Sequence, residues 1–315
     1  MDKILVVRND RLGDLMLILP ALRIIKSSIP DIQIDCLAND NYKDLALLSD
    51  DIDNIISRDN LCESINDRKY NCAISFFSTF SIGYKLWKSN IKNRYAPATK
   101  LAQIFYNKTI EQQRSKSLKP EYEYNNELAR YFLEDNNYRV KKIENPLIRI
   151  ENRINIGSNT KKTIFIHPYT GGSSKTLSDD DFIKLCINLD KLCPCRFILH
   201  CDQNDYEKCI NMKNKCGDLD IDIISPTNEL RQMFLNINQC DLFIAGSTGP
   251  LHVAGSLNKK TVGFYPSKKS STSIRWDTIN DKSHKLFYED IGTNNKYIKV
   301  ETEVIAREIY SNLLK

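Results

Sequence analysis

The sequence predicts an α/β protein with two halves, each a parallel sheet covered by helices. Short apolar strand patterns alternate with helical patterns over residues 4–77, and the same alternation returns over residues 163–266. Between these stretches lies "ENPLIRIENRINIGSNTKK" (144–162), whose proline, glycine and polar residues are typical of an interdomain linker. A chain of 315 residues is long enough for two domains, which we expect over residues 1–150 and 160–315.

The first half opens with the apolar strand "ILVV" (4–7), and apolar residues then follow at helical spacing from about Leu15 to Ser28. Over residues 81–137, basic and aromatic residues mix with few strand signals, so we expect loops and helices that cover one side of the first domain. A helix is predicted over "NYKDLALLS" (41–49), and strands over "DIQIDCLA" (31–38), "DIDNIIS" (51–57) and "YNCAISFF" (70–77).

The second half repeats the pattern and ends in an amphipathic helix, "ETEVIAREIYSNLLK", with Ile305 and Ile309 on one face. Ser178 and Asp181 have the spacing of a capping arrangement at the start of the first helix of this half. Two such halves joined by a linker predict a cleft that the carboxyl ends of the strands face. The predicted strands are "TIFIHPY", "RFILHC", "IDIIS", "DLFIAG" and "KTVGFYP".

Composition sets the broad class of the protein. The net charge of +5 permits an anionic partner such as a nucleotide, a phosphorylated glycan or an acidic membrane surface. Acids nearly match the basic residues and no nucleic-acid motif is present, so we expect no nucleic-acid partner. No secretory signal and no apolar run of ~20 residues is visible. We therefore expect a cytoplasmic protein, with peripheral association at the inner face of the cytoplasmic membrane left open.

Ten cysteines are scattered over the chain without a CxxC pair, and we expect reduced thiols on core faces. The alternative is a zinc site formed by Cys193, Cys195, Cys201, Cys209 and His200. Their spacings match no standard ligand pattern, so we predict no metal.

One carboxylate stands out in "RNDRLGD" (8–14), where Asp14 lies at the junction of an apolar strand and an apolar helix. Asp14 is either a general base in the cleft or the N-cap of the following helix. The segment holds a single glycine, so it lacks the GxGxxG turn of a dinucleotide-binding enzyme.

Two further segments combine features that suit phosphate. "HPYTGGSSK" is a glycine-rich turn after a strand, and its backbone N–H groups and Lys175 can face an anion. The alternative is a flexible loop with a solvated lysine. "AGSTGPLH" places Ser247 or Thr248 as a cap, Pro250 in the first turn and His252 nearby, so the helix start suits a diphosphate. The alternative is a purely structural helix.

A basic stretch, Lys85–Lys119, is either a solvated surface or a docking site for a phosphorylated acceptor.

Three segments together resemble glycosyltransferase family 9, the heptosyltransferases that build the inner core of lipopolysaccharide. They are "ILVVRNDRLGDLMLILPALRIIK", "IFIHPYTGGSSKTLSDDDFIKL" and "CDLFIAGSTGPLHVAGSLNKKTVGFY". Their order and separations match the family over nearly the whole chain, whereas residues 81–137 match only loosely.

The resemblance implies a GT-B fold, in which two Rossmann-like domains face a central cleft, with the acceptor on the N-terminal domain and the nucleotide-sugar on the C-terminal one. It also implies inverting, metal-independent transfer of a sugar, heptose from ADP-heptose, onto a lipopolysaccharide core or related glycolipid or oligosaccharide acceptor. No cofactor is expected besides this donor substrate. Asp14 is then the catalytic base, and Arg8 and Arg11 are assigned to the acceptor. The donor-binding residues are Thr170, Gly171, Gly172, Lys175, Ser247, Thr248, Gly249, Pro250 and His252.

The chain also departs from the family pattern. Ser247 replaces a frequent acidic residue, and Leu177 replaces a usual tryptophan. The acidic residue that binds the donor ribose has two candidate positions, Gln203 and Asp205. These departures leave open a different nucleotide-sugar, a capsule or protein-glycan acceptor, or a non-catalytic glycan-binding protein.

Overall fold

Parallel strands make up both sheets of the protein, for which we describe a computed structural model. The described residues are 2–42, 44–57, 61–98, 101–150, 161–172, 174–224, 226, 229–292 and 296–315. They divide into two units, Met1–Arg149 and Ile150–Lys315, and each unit holds one six-stranded sheet. The middle of the predicted linker, residues 151–160, lies outside the described residues.

The first unit has the strand order β3-β2-β1-β4-β5-β6. Its strands are β1 (Lys3–Val7), β2 (Gln33–Leu37), β3 (Asn54–Ile56), β4 (Cys72–Ser75), β5 (Asn93–Pro97) and β6 (Lys108–Ile110). Its helices are α1 (Leu12–Met16), α2 (Leu19–Ser28), α3 (Leu45–Leu48), α4 (Leu61–Arg68), α5 (Phe80–Lys88) and α6 (Glu121–Asp135). The strand order reverses direction between β1 and β4, and such a switch point is where open α/β sheets place their ligands.

The second unit has the order β12-β11-β10-β7-β8-β9, with its switch point between β7 and β10. Its strands are β7 (Lys162–His167), β8 (Cys195–Leu199), β9 (Ile221–Ile223), β10 (Leu242–Gly246), β11 (Lys260–Tyr265) and β12 (Lys285–Glu289). Its helices are α7 (Asp179–Asp190), α8 (Tyr206–Lys215), α9 (Leu230–Asn238), α10 (Gly249–Ser256) and α11 (Thr302–Ile309).

The core of the second unit includes the C-terminal helix. Ile305 and Ile309 of α11 are buried with Phe182 and Leu185 of α7 in one apolar cluster. The apolar face that the sequence predicts on the last helix is therefore buried within its own unit. The predicted capping of α7 is confirmed, because Ser178 is the N-cap and its side chain accepts from the backbone N–H of Asp181.

Three strands were missing from the sequence prediction. β5 and β6 extend the first sheet, where loops and helices were expected, and β12 extends the second. β5 ("NRYAP") begins with two polar residues and ends in proline, while β6 has three residues, so neither carries an apolar run or a clear alternation.

One helix expectation also needs correction. The single helix predicted from Leu15 to Ser28 is two helices, α1 and α2, with a break at Leu17 and Ile18 and with Pro20 in the first turn of α2. The strand predicted over residues 31–38 is β2, and its polar Asp35 is fully buried.

The buried Asp35 carboxylate is hydrogen-bonded on both oxygens. Tyr70 and Arg68 donate to Oδ2 at 2.5 and 2.8 Å. Asn54 and Gln33 donate to Oδ1 at 2.8 and 3.0 Å. Burial alone would raise the pKa of Asp35, but these bonds outweigh it and lower that pKa. The carboxylate therefore has a structural role and joins β2 to β3 and to the end of α4.

The nine cysteines whose side chains the structure describes are free thiols, and all except Cys193 are buried. Within the described ranges, no three His, Cys, Asp or Glu side chains are arranged to hold a metal ion. Among the same residues, no helix has the length and apolar character that crossing a bilayer requires.

Candidate active site

Arg8 and Asp14 meet at the switch point of the first sheet. β1 is buried up to Val7, and Arg8 follows it with its side chain also buried. Arg8 Nη2 donates to Asp14 Oδ1 at 2.5 Å, and Arg8 Nη1 donates to the carbonyl of Phe76 at 3.1 Å. Because Phe76 follows β4, one guanidinium connects the carboxyl ends of the two strands at which the sheet reverses its order.

Asp14 lies within the first turn of α1, so the alternative interpretation of Asp14 as an N-cap is wrong. The N-cap is Arg11, and its side chain makes no capping hydrogen bond. The Asp14 side chain is 16% exposed and its Oδ1 accepts from Arg8. In the described part of the chain no donor is bonded to Oδ2, so one carboxylate oxygen remains available to a ligand.

Three carboxylates surround the Arg8 guanidinium. Besides Asp14, Asp10 Oδ1 accepts from Arg8 Nε at 2.9 Å, and Glu121 Oε1 lies 4.0 Å from Nη1. Burial opposes the charge of Arg8, but the three acids outweigh it and raise the pKa of Arg8. Burial also raises the pKa of Asp10 to about 6, although Arg8 acts in the opposite direction.

Helix α6 contributes two residues that support this site. The side-chain amide of Asn125 donates to the carbonyl of Leu17 at 2.9 Å, at the break between α1 and α2. Glu121, in the first turn of α6, accepts a hydrogen bond from Arg114. These supporting residues are not predictable from the sequence, because no local pattern links residues about 110 positions apart.

The two arginines assigned to the acceptor differ in their exposure and in their hydrogen bonds. Arg11 lies three residues before Asp14 in the sequence and is exposed, as an acceptor-binding residue would be. Arg8 is 4% exposed, and its nitrogens are bonded to Asp10, Asp14 and Phe76. With these bonds Arg8 is placed to position Asp14. Direct contact of Arg8 with an acceptor stays a prediction.

The glycine-rich loop after β7 has the backbone of a tight turn. Gly171 and Gly172 have φ of +55° and +79°, in the left-handed region that glycine adopts without strain. Thr170 Oγ1 closes the turn by donating to the carbonyl of Ser174 at 2.6 Å. Lys175 follows this turn and is partly exposed.

The loop after β7 and the end of β10 are in contact, as adjacent strands at the switch point require. A Cβ at Gly246 would lie 3.2 Å from Thr170 Cγ2 and 3.2 Å from Thr176 Cβ. Glycine at the end of β10 therefore allows the two loops to approach each other closely. The structure thus brings together the two segments that the sequence analysis singled out for phosphate.

Helix α10 begins directly after this contact. Thr248 is its N-cap, and Gly249 and Pro250 open its first turn, after the partly exposed Ser247. Thr248 thus occupies one of the two predicted cap positions, but its side chain makes no capping hydrogen bond. Its Oγ1 is buried without a partner among the described residues. A buried hydroxyl without a partner at a helix start is suited to a ligand oxygen.

His252 adds a second polar atom of this kind. It is buried in α10, and its Nδ1 has no partner in the described part of the protein. Its ring centroid lies 6.4 Å from that of Trp276. Burial lowers the pKa of His252 to about 4, so the ring is neutral at physiological pH and can act only through hydrogen bonds.

A cavity of about 510 Å³ lies in the second unit and is lined by Lys175. This volume is in the range of small-molecule sites. Lys268 lines it as a second cation, together with three serines, so its chemistry suits an anion. The segment after β11 is absent from the sequence prediction, although its serines and lysines ("PSKKSS") are a signal for an anion site. The lining residues are Gly172, Ser174, Lys175, Pro266, Ser267, Lys268, Ser271 and Gly292.

The positions where the chain departs from the family pattern have distinct surroundings. Leu177 is buried in the apolar core of the second unit. Asp205 is mostly buried, and its carboxylate accepts from Lys208 at 2.7 Å. Gln203 begins the short turn that follows β8.

Comparison with known sequences relates the chain to one family. The family model "Glycosyltransferase family 9 (heptosyltransferase)" matches residues 72–302. A Haemophilus influenzae protein named as a glycosyltransferase is 37% identical over 302 residues, which cover 89% of this chain and 87% of that protein. Lipooligosaccharide heptosyltransferase 2 of Campylobacter jejuni is 25% identical over 282 residues, which cover 86% of this chain and 83% of that protein.

Solved structures share the fold. A family 9 glycosyltransferase from Veillonella parvula has a TM-score of 0.81 at 16% identity, covering 99% of this chain and 97% of that one. E. coli ADP-heptose LPS heptosyltransferase II has a TM-score of 0.77 at 16% identity, covering 99% and 98%. E. coli heptosyltransferase WaaC with ADP has a TM-score of 0.77 at 13% identity, covering 98% and 99%.

The predicted α/β class with the GT-B fold is thereby confirmed. The family match over most of the chain, together with the 37% identical relative, shows that this protein belongs to glycosyltransferase family 9 and is a glycosyltransferase.

Proposed function

We propose that the protein transfers heptose from ADP-heptose to a hydroxyl of a lipopolysaccharide core or related glycan, with inversion at the anomeric carbon and without a metal ion. The names of the Campylobacter and E. coli relatives support the sugar and the nucleotide. The observation that carries the reaction type is the Asp14 carboxylate at the carboxyl end of β1, held through one oxygen by the buried Arg8.

Asp14 is the general base in this proposal. Its free oxygen takes the proton of the acceptor hydroxyl while the hydroxyl oxygen forms a bond to the anomeric carbon. The bond from that carbon to the diphosphate oxygen breaks on the opposite face, and its electrons leave with the nucleoside diphosphate. A base held in position contributes typically ~10²–10⁴-fold to the rate.

The second unit stabilises the leaving diphosphate. Lys175 and Lys268 supply positive charge around the 510 Å³ cavity, and backbone N–H groups near Gly171 and Gly172 supply hydrogen bonds. Thr248 Oγ1 and the start of α10 offer further donors. In this arrangement the protein's own groups meet the developing negative charge, which is the reason to propose metal-independent transfer.

A thermal-shift panel with ADP, UDP, GDP and CMP tests the donor. Selective stabilisation by ADP supports ADP-heptose, because a ligand that binds only the folded state raises its stability. Selective stabilisation by another nucleotide would retain the transferase assignment but indicate a different donor sugar. The departures from the family pattern at Ser247 and Leu177 are the reason to test this outcome. No response to any nucleotide contradicts the donor site and favours a glycan-binding protein.

A transfer assay with ADP-heptose and a truncated core acceptor tests the chemistry. We expect ADP release that EDTA does not suppress, and a product whose anomeric configuration, read by NMR, is opposite to that of the donor. Retained configuration contradicts the role of Asp14, and loss of activity in EDTA contradicts metal independence.

A further inference from the structure

Helix α5 has apolar side chains on two faces. Ile82 and Leu86 are buried in the core of the first unit. Phe80, Tyr84 and Trp87 lie at positions i, i+4 and i+7 and are 55%, 41% and 51% exposed. A surface helix ordinarily has one apolar stripe, which faces its core. The second stripe lies outside that core and stays largely exposed.

The short turn Leu101–Phe105 enlarges this apolar surface. The ring centroid of Phe105 lies 4.8 Å from that of Phe80, 5.8 Å from Tyr84 and 6.3 Å from Trp87. The turn also exposes 77% of Leu101 and 67% of Ile104. We define the aromatic patch as Phe80, Tyr84, Trp87, Leu101, Ile104 and Phe105.

A glycine on α5 allows this contact. A Cβ at position 83 would lie 3.1 Å from Phe105 Cδ2, so Gly83 lets the turn lie directly against the helix. The patch is therefore one surface built from two segments.

The patch lies in a segment of one charge sign. Residues 76–110 contain Lys85, Lys88, Lys92, Arg94, Lys100 and Lys108 and no Asp or Glu. The segment thus carries +6, while the whole chain carries +5, so all other residues together sum to −1. Lys85, Lys88 and Lys92 make no ion pair among the described residues, so their charge is available to a partner.

We propose that the aromatic patch, with Lys85, Lys88 and Lys92, docks the first unit onto the surface of a membrane that contains anionic lipids. Tryptophan and tyrosine favour the boundary between headgroups and acyl chains. Lysines beside them are attracted to anionic headgroups. Monomeric soluble proteins rarely expose an apolar patch of this kind without an interaction partner.

The position of the patch fits a lipid-linked substrate. Helix α5 follows the carboxyl end of β4, and the turn follows the carboxyl end of β5. Carboxyl ends of parallel strands share one edge of a sheet, and Arg8 and Asp14 lie at that same edge. Docking through the patch would bring this edge to the membrane, whichever sugar the protein transfers.

Vesicle sedimentation of the full-length protein tests the proposal. We expect binding to phosphatidylcholine vesicles that contain phosphatidylglycerol, weak binding to pure phosphatidylcholine, and weakening by salt. The double variant Trp87→Ser/Ile104→Ser and the double variant Lys85→Glu/Lys88→Glu should each reduce the partition coefficient about tenfold or more. The matched control is Phe287→Ser/Val304→Ser, which removes two exposed apolar side chains (51% and 55%) from the second unit and should bind like the wild type.

Tryptophan fluorescence identifies the surface that binds. Emission of Trp87 should shift to the blue on vesicles and be quenched by brominated lipids, and Trp87→Phe, which retains Trp276, should lose most of both effects. Absence of wild-type binding, or equal binding of the patch and control variants, overturns the proposal. Light scattering tests whether a second copy of the chain covers the patch instead. A dimer that Trp87→Ser/Ile104→Ser converts to a monomer, without vesicle binding, also overturns the proposal.

Discussion

The Arg8 guanidinium lies 2.5 Å from the Asp14 carboxylate and is itself held by the carbonyl of Phe76. The carboxylate is therefore oriented by the meeting point of β1 and β4, and the orientation does not depend on a bound substrate. Groups fixed before the substrate binds need no reorganisation during the reaction. Oδ2 of Asp14, which has no donor among the described residues, is the atom we assign to proton transfer.

Asp14→Asn should abolish most transfer while leaving the fold intact. The asparagine oxygen can still accept from Arg8, but the amide cannot take a proton, so we expect kcat to fall by about 10²–10⁴-fold. Initial-rate assays of ADP release measure this loss, and nucleotide binding should be unchanged. Asp31→Asn, at an exposed acid, is the control. Full activity of Asp14→Asn would remove the assignment of the base.

Arg8→Gln should be far more damaging to stability than Arg11→Gln. The first change leaves Asp10, Asp14 and Glu121 without their shared buried cation, and breaking a buried pair in this way costs about 3–5 kcal/mol. The second change is on the exposed neighbour and should stay within about 0.5 kcal/mol. Urea unfolding measures both free energies. Equal stability of the two variants, with a raised acceptor KM for Arg8→Gln, would favour direct acceptor binding by Arg8 over positioning.

Asp10→Asn should change the pH dependence of stability. Burial raises the pKa of Asp10 to about 6 in the folded state, above its value near 3.9 in the unfolded chain. The folded state then binds more protons between pH 4 and 6, so this group lowers the free energy of unfolding as pH rises through that interval. Removing it should stabilise the variant relative to the wild type at pH 8, by at most about 3 kcal/mol, and not at pH 4. A difference that is the same at both pH values would contradict this.

Long-range contacts explain which parts of the site could not be predicted from the sequence. The strand-to-helix junctions and the residues Asp14, Lys175 and Thr248 follow from local patterns, since carboxyl ends of strands and starts of helices are readable over about ten residues. The bond of Arg8 to Phe76 joins residues 68 positions apart, and that of Asn125 to Leu17 joins residues 108 apart. No periodic pattern in the sequence indicates contacts between residues so far apart.

The strands that the sequence does not predict lack a strong local pattern. β6 has only three residues, and none of them is fully buried. β12 has no fully buried residue, and its pattern therefore lacks the apolar run that marked β7 or β10. The break at Leu17 and Ile18 was hidden for the opposite reason: both residues are fully buried, so their apolar side chains extend the helical pattern across it.

Lys175→Ala should weaken binding of the nucleoside diphosphate. Lys175 lines the cavity with Lys268, and losing one of two cations near a diphosphate should raise the dissociation constant about tenfold. Isothermal titration with ADP measures the change. Lys191→Ala removes an exposed lysine at the end of α7 and should leave the constant unaltered. An unchanged constant for Lys175→Ala would place the diphosphate elsewhere.

His252→Gln and His252→Leu separate two properties of one side chain. Burial lowers the pKa of His252 to about 4, whereas the unfolded chain titrates near 6.5, so the unfolded state binds more protons between these values. Stability from the neutral ring is complete above pH 6.5 and falls as pH decreases, with a loss of roughly 2 kcal/mol by pH 5. Both variants should lose this part of the pH slope in urea unfolding at pH 5 and 8. Only the leucine variant lacks a polar atom in place of the buried Nδ1, so it should bind ADP more weakly than the glutamine variant.

Two results would contradict these expectations for His252. If both variants bind ADP like the wild type, His252 serves packing alone. If the pH slope of stability is unchanged, the buried ring is not the group that titrates.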